Sequence, residues 1–154
     1  MVASTAMSVL TIMLQYSDES ATLCDEACWA KQTFAAAPVP SIKAAFWNAS
    51  YGKIVFEHQQ SRYYTAAMGV AVTTMSGCPY LTQNANARAI ATAAGINVAS
   101  YDLVEYWYSI SFKTQAGCSF AGMANYCAPT IGQAPIAGTG CRSFIRACVG
   151  GSPS

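Results

Sequence analysis

LVEYWYSISF, residues 103–112, decides the fold. It holds β-branched and aromatic residues with no glycine or proline, the composition of a strand. In a strand, Val104, Tyr106, Tyr108, Ile110 and Phe112 share one face. Glu105, Trp107, Ser109 and Ser111 fall on the other. An apolar face this large needs a covering layer, so the strand belongs to a sheet backed by helices.

The neighbouring segments supply such helices. Asn84–Ala94 is alanine-rich and predicts a helix closed by Gly95. Ser41 is a helix N-cap, and Ile42, Ala45, Phe46 and Ala49 are spaced as one apolar stripe ending at Gly52. Thr22-Leu23-Cys24-Asp25 has the form of a capping box, with Asp in place of Glu. The helix it starts runs to Phe34, before Pro38 and Pro40 break it. Ser8–Gln15, Lys53–Glu57 and Thr65–Met75 read as further strands. Strands alternating with helices predict an α/β fold with a mixed sheet. From Gly117 onward glycine, alanine and cysteine dominate, which predicts loops and short strands stapled by disulfides. Cys118–Cys127 and Cys141–Cys148 are the expected local pairs.

Composition bounds the function. The 154 residues suit one domain with a real core. With 53% hydrophobic and 10% charged residues, the composition argues against disorder. A net charge of +1 with scattered arginines gives no electrostatic case for nucleic acid. No apolar run reaches the ~18 residues of a membrane span. Seven cysteines point to an oxidising compartment, hence a secreted or extracellular protein, and the odd count leaves one without an internal partner. Asn48-Ala49-Ser50 is a glycosylation acceptor pattern that fits secretion. The first basic residue is Lys31, so the start lacks the charged region of a signal peptide. The chain therefore reads as cut from a longer precursor.

Candidates for chemistry are few. His58 is the sole histidine, and HExxH does not occur, so no histidine-rich zinc site can be assembled. The expectation for His58 is a surface or strand-edge position. Cys24 and Cys28 have a spacing that zinc sites use, but no second close pair follows, so disulfides are expected. Asp18 with Glu19 and Asp25 with Glu26 are read as helix-start carboxylates rather than an acid/base pair. Trp29, Trp47, Trp107 and the tyrosines are read as core rather than a ligand platform. No residue is assigned a catalytic, cofactor-binding or metal role.

One ordered series is more specific. AAFWNASYGKIVFE (44–57) is followed by Cys78, the alanine-rich helix, GINVASYDLVEYWYSI (95–110), CSFAGMANYC (118–127) and CRSFI (141–145). This order resembles the first part of the catalytic domain of the gametolysin family, zinc metallopeptidases with a metzincin-like plan. The matched features are Ser50-Tyr51-Gly52-Lys53 after a helix, Gly95-Ile96 to Tyr101-Asp102 entering a strand, Cys118 to Gly122, and Cys141-Arg142-Ser143. The resemblance spans roughly residues 8–148 and implies a twisted sheet backed by helices, a single partial peptidase domain over 1–154. It also implies a following helix with two histidines on Zn²⁺ and a glutamate general base, acting on protein substrates of the cell wall or extracellular matrix. CRSFIRACVGGSPS (141–154) stands where that helix should approach, so the tail reads as an interruption. The chain alone should then lack zinc and hydrolytic activity, and its sheet should be left partly bare. The competing expectation is a non-catalytic, secreted, disulfide-rich binding or structural protein.

Overall fold

The computed structural model describes residues 4–19, 24–36 and 39–119, together with the backbone of 122–124 and 143–147. The fold is mixed α/β. Among the described residues the strands are β1 (Thr5–Met7), β2 (Val9–Gln15), β3 (Ile54–Phe56), β4 (Arg62–Ala67), β5 (Leu103–Tyr108), β6 (Gly122–Ala124) and β7 (Ser143–Ala147), and the α-helices are α1 (Glu26–Phe34), α2 (Ile42–Ala49), α3 (Tyr80–Ala93) and α4 (Ile110–Gln115). The main sheet has the order β4-β2-β5-β7-β6. Its first four strands are parallel, and β6 lies antiparallel against β7 at the edge. β1 and β3 form a separate parallel pair.

Parallel strands buried on both faces carry near-continuous apolar runs. β2 (VLTIMLQ) is of this kind: Val9 to Leu14 are all buried. Its side chains alternate between two cores. Leu10, Ile12 and Leu14 join Val104, Tyr106 and Tyr108 of β5 and Ala87 and Ala91 of α3. Met13 joins Trp107 of β5, Cys24, and Trp29 of α1. The register places Ile12 beside Tyr106 and Met13 beside Trp107, which keeps the two sets separate. Helix α3 thus covers one face and α1 the other.

Several expectations hold and several shift. Asp25, not Thr22, caps α1: its carboxylate accepts from Cys28 N at 2.8 Å. Thr22 lies outside the described residues. Ser41 caps α2 as expected, accepting from Ala44 N at 3.0 Å. Gly52 and Gly95 adopt left-handed φ of 77° and 87°, as helix-ending glycines do. The stripe on α2 is not buried: Ala45, Phe46 and Ala49 are exposed. The reason is that α2 packs on α1 and the short β3 rather than on the main sheet.

The strand expected over Thr65–Met75 runs instead from Arg62 to Ala67. Its regular register with β2 ends where Gln15 pairs with Ala67; beyond it Met68 N donates to Gln15 O and Ser17 N to Val70 O, both at 2.9 Å, before the chain turns at Val72–Thr74. The strand expected to reach Phe112 stops at Tyr108. Ser109 then caps α4, its Oγ accepting from Phe112 N at 3.0 Å. This turn sends Ile110 to the surface and Phe112 into the core. The expected bare face of β5 is therefore sealed, by α3 and by Phe112.

Cysteine pairing also corrects the sequence reading. Cys118 bonds to Cys78, not Cys127, because Cys78 N donates to Ala116 O at 2.7 Å and brings the two segments together. Cys24 bonds to Cys28. Cys127, Cys141 and Cys148 lie outside the described residues. In the chain-entropy picture, the 40-residue separation of Cys78 and Cys118 is worth about 4 kcal/mol. The 4-residue separation of Cys24 and Cys28 is worth about 2 kcal/mol. Denaturant unfolding of the paired alanine variants should rank C78A/C118A as the more destabilised. Equal losses would show that loop closure does not govern them.

Candidate functional site

In an open α/β sheet, ligands settle outside the carboxyl ends of the strands, where the winding direction reverses. Here the chain goes from β2 outward to β4 and returns across β2 to β5. The reversal lies between the ends of β2 and β5, at Tyr16 and Ser109. A polar cluster occupies this place. Ser109 Oγ hydrogen-bonds the Glu19 carboxylate, whose other oxygen accepts from Tyr16 N at 3.3 Å. Tyr16 OH donates to Gln83 Oε1 at 3.0 Å. Tyr108 OH hydrogen-bonds Asn84 Oδ1 and lies 3.1 Å from Tyr80 O. The Tyr16 and Phe112 rings stack at 5.6 Å beneath them.

Each of these residues is placed by an element end. Tyr16 follows β2, Gln83 and Asn84 lie in the first turns of α3, and Ser109 joins β5 to α4. Burial pushes the phenol pKa of Tyr16 and Tyr108 far up, and Glu19 adds to the effect at Tyr16. Both phenols therefore remain protonated donors at neutral pH. Asp18 lies beside the cluster on the surface and accepts from Val72 N at 2.9 Å and Thr73 N at 3.2 Å. The Val72 amide bond leads in holding its carboxyl below the usual range.

The arrangement is a bolt rather than a reaction centre. Glu19 is committed to Ser109 and Tyr16, and no histidine stands near to activate Ser109. His58 sits in the turn before β4, at the opposite end of the sheet. The seven residues of β2 separate the two ends by roughly 20 Å. His58 is exposed, as expected of a strand-edge residue, with its ring stacked on Phe34 at 4.6 Å and edge-on to Trp29 at 5.4 Å.

The remaining candidates are accounted for. Asp25 caps α1 and Glu26 stands in its first turn, as read from the sequence. Asp18 and Glu19 do not serve α1: Asp18 holds the 72–74 turn and Glu19 holds the start of α4. Trp29 and Trp107 are buried, whereas Trp47 is exposed. Sequence reasoning missed Glu105 as a buried group. It lies within the sheet, where Thr11 Oγ1 donates to Glu105 Oε2 at 3.2 Å and accepts from Trp29 Nε1 at 2.8 Å. It also missed the Glu19–Ser109 bolt. The signal was available: Ser109 directly follows β5, and Glu19 comes four residues after the end of β2.

Among the described residues no three His, Cys, Asp or Glu side chains gather as metal ligands. The described cysteines are all in disulfides. No helix among the described residues is long and apolar enough to cross a membrane. No family model and no curated protein matches the chain.

Two outcomes follow from the bolt. S109A removes both the α4 cap and the Glu19 partner, and should cost about 1–2 kcal/mol in denaturant unfolding; an unchanged midpoint would show that neither bond matters. Asp18 has a lowered folded pKa, so its contribution is present above the unfolded value of 3.8 and is lost as pH falls through the folded value. Thermal unfolding of wild type should therefore drop further than that of D18N on acidification below that range. Parallel curves would remove Asp18 from the acid response.

Proposed function

We propose that the chain is the sheet-bearing part of a gametolysin-like zinc metalloendopeptidase domain, with extracellular or cell-wall proteins as the substrates of the complete domain. One observation carries the reading most. Two of the motifs matched in the resemblance lie among the described residues, and each stands at a joint between elements. Ser50-Tyr51-Gly52-Lys53 forms the turn that ends α2, with Tyr51 and Gly52 both at positive φ and Gly52 N bonded to Trp47 O at 2.8 Å. Asp102 clamps the entry to β5, its carboxylate accepting from Ser8 N at 2.8 Å and Ser8 Oγ at 3.2 Å.

In this reading the zinc ligands lie outside residues 1–154. HExxH does not occur in residues 1–154, and the described side chains supply no ligand set. The contribution of this chain is the platform on which a ligand-bearing helix would pack. Extracellular residence is supported by the two disulfides, which persist in oxidising surroundings. The non-catalytic reading gains from the sealed face of β5, since a sheet already covered by α3 and Phe112 does not depend on a further helix there.

Transcript sequence downstream of codon 154 tests the reading directly: an in-frame HExxH supports it, and its absence favours the non-catalytic alternative. The purified chain should bind no stoichiometric zinc and should not cleave casein or gelatin. Cleavage blocked by a chelator would overturn the assignment of the chemistry to residues outside this chain.

A further inference from the structure

We propose that Asn48 is an N-glycosylation site, and that its first sugars cover an exposed aromatic patch on α2. Asn48-Ala49-Ser50 is the chain's single Asn-x-Ser/Thr triplet. Asn48 is exposed in the last turn of α2. By contrast Asn84, in α3, is buried.

The surroundings of Asn48 are unusual. Among the described residues seven large hydrophobics are exposed, and Val39, Phe46, Trp47 and Tyr51 lie around this one helix. Tyr51 is 93% exposed. The Trp47 ring is not loose: its Cζ2 lies 3.0 Å from where a Cβ on Gly52 would stand. The edge of Phe46 meets Phe56 at 4.9 Å, so the patch is anchored from below and open above. An exposed apolar patch marks a surface that something covers. A glycan fits because its attachment point adjoins the exposed Trp47 and lies one turn before the exposed Tyr51, and the C–H faces of a sugar ring pack on aromatic faces.

The modification joins Asn48 Nδ2 to the anomeric carbon of a polyprenyl-diphosphate-linked oligosaccharide in the secretory lumen. The N–C bond forms, the C–O bond to the diphosphate breaks, the amide loses one proton and the diphosphate leaves. In the folded chain Ser50 Oγ accepts from Ile54 N at 2.9 Å and contacts Trp47 O. The triplet's hydroxyl is thus already engaged, so transfer precedes the closing of the 50–53 turn.

This rests on the extracellular reading, and the two fail separately. The full chain is directed into the secretory lumen of eukaryotic cells and collected with its disulfides formed. A glycosidase-sensitive mass at Asn48 is expected, lost in N48Q and kept in S50T. A secreted, disulfide-bonded chain with unmodified Asn48 overturns the site. Coverage is read from collisional quenching of tryptophan. Trp29 and Trp107 are buried, so Trp47 is the quenchable one of the three. Quenching should rise when the glycan is released enzymatically, and be as high in N48Q. Equal quenching with and without the glycan overturns the coverage. A native chain found in the cytosol with reduced cysteines defeats the extracellular reading and, with it, the modification.

Discussion

Strand β2 turns no face and no edge to water between Val9 and Leu14, and the rest of the fold is arranged to satisfy that condition. β4 and β5 take its two edges. α3 with α4 takes one face and α1 the other. Fully burying each apolar side chain is worth roughly 1.5–3 kcal/mol, which a two-layer arrangement would forfeit on one face. The strand must therefore be central, and parallel neighbours joined by helical crossovers are the way to keep it so.

Polar groups fix how those layers meet. On the α1 side the Trp29–Thr11–Glu105 chain ties helix, central strand and neighbouring strand within a buried plane. At the amino ends, Ser8 and Asp102 exchange bonds as the chain passes from the small β1–β3 pair into the main sheet. At the carboxyl ends, Glu19 ties β2 to α4 through Ser109. A buried polar group without a partner is expensive, so each contact selects one register and one helix placement over its neighbours. The hydrophobic pattern alone is compatible with several.

Much of this was legible in the residues. β2 was readable from its apolar and β-branched residues, α2 from its stripe, α3 from its alanines though it starts at Tyr80 rather than Asn84, Ser41 from its capping chemistry, and Gly52 and Gly95 from their role after helices. The two faces of β5 were readable as far as Tyr108. What failed did so for tertiary reasons. SISF continues the strand alternation of β5 in sequence, yet Ser109 finds Phe112 N and Glu19 and starts a helix instead. Val70 and Val72 alternate as in a strand, but the register with β2 ends at Gln15 and the chain turns at Val72–Thr74. Cys118 lies nearer in sequence to Cys127 than to Cys78, and only the backbone bond between Cys78 and Ala116 reveals its partner. The candidate site was legible only as unassigned polar residues after strand ends, because its members come from β2, α3 and β5 and meet only in the folded chain.

The Cys78–Cys118 bond has a consequence for survival among proteases. It closes a covalent ring that contains α3, β5 and α4. The loop between α3 and β5, from Gly95 to Tyr101, exposes Gly95, Asn97, Ala99 and Ser100 inside that ring, while Ile96 and Val98 turn into the core. A single cut there yields two pieces that stay linked through the disulfide and remain interleaved by β5 between β2 and β7. Nicking at this loop would thus leave the particle whole on a sizing column and split it only after reduction.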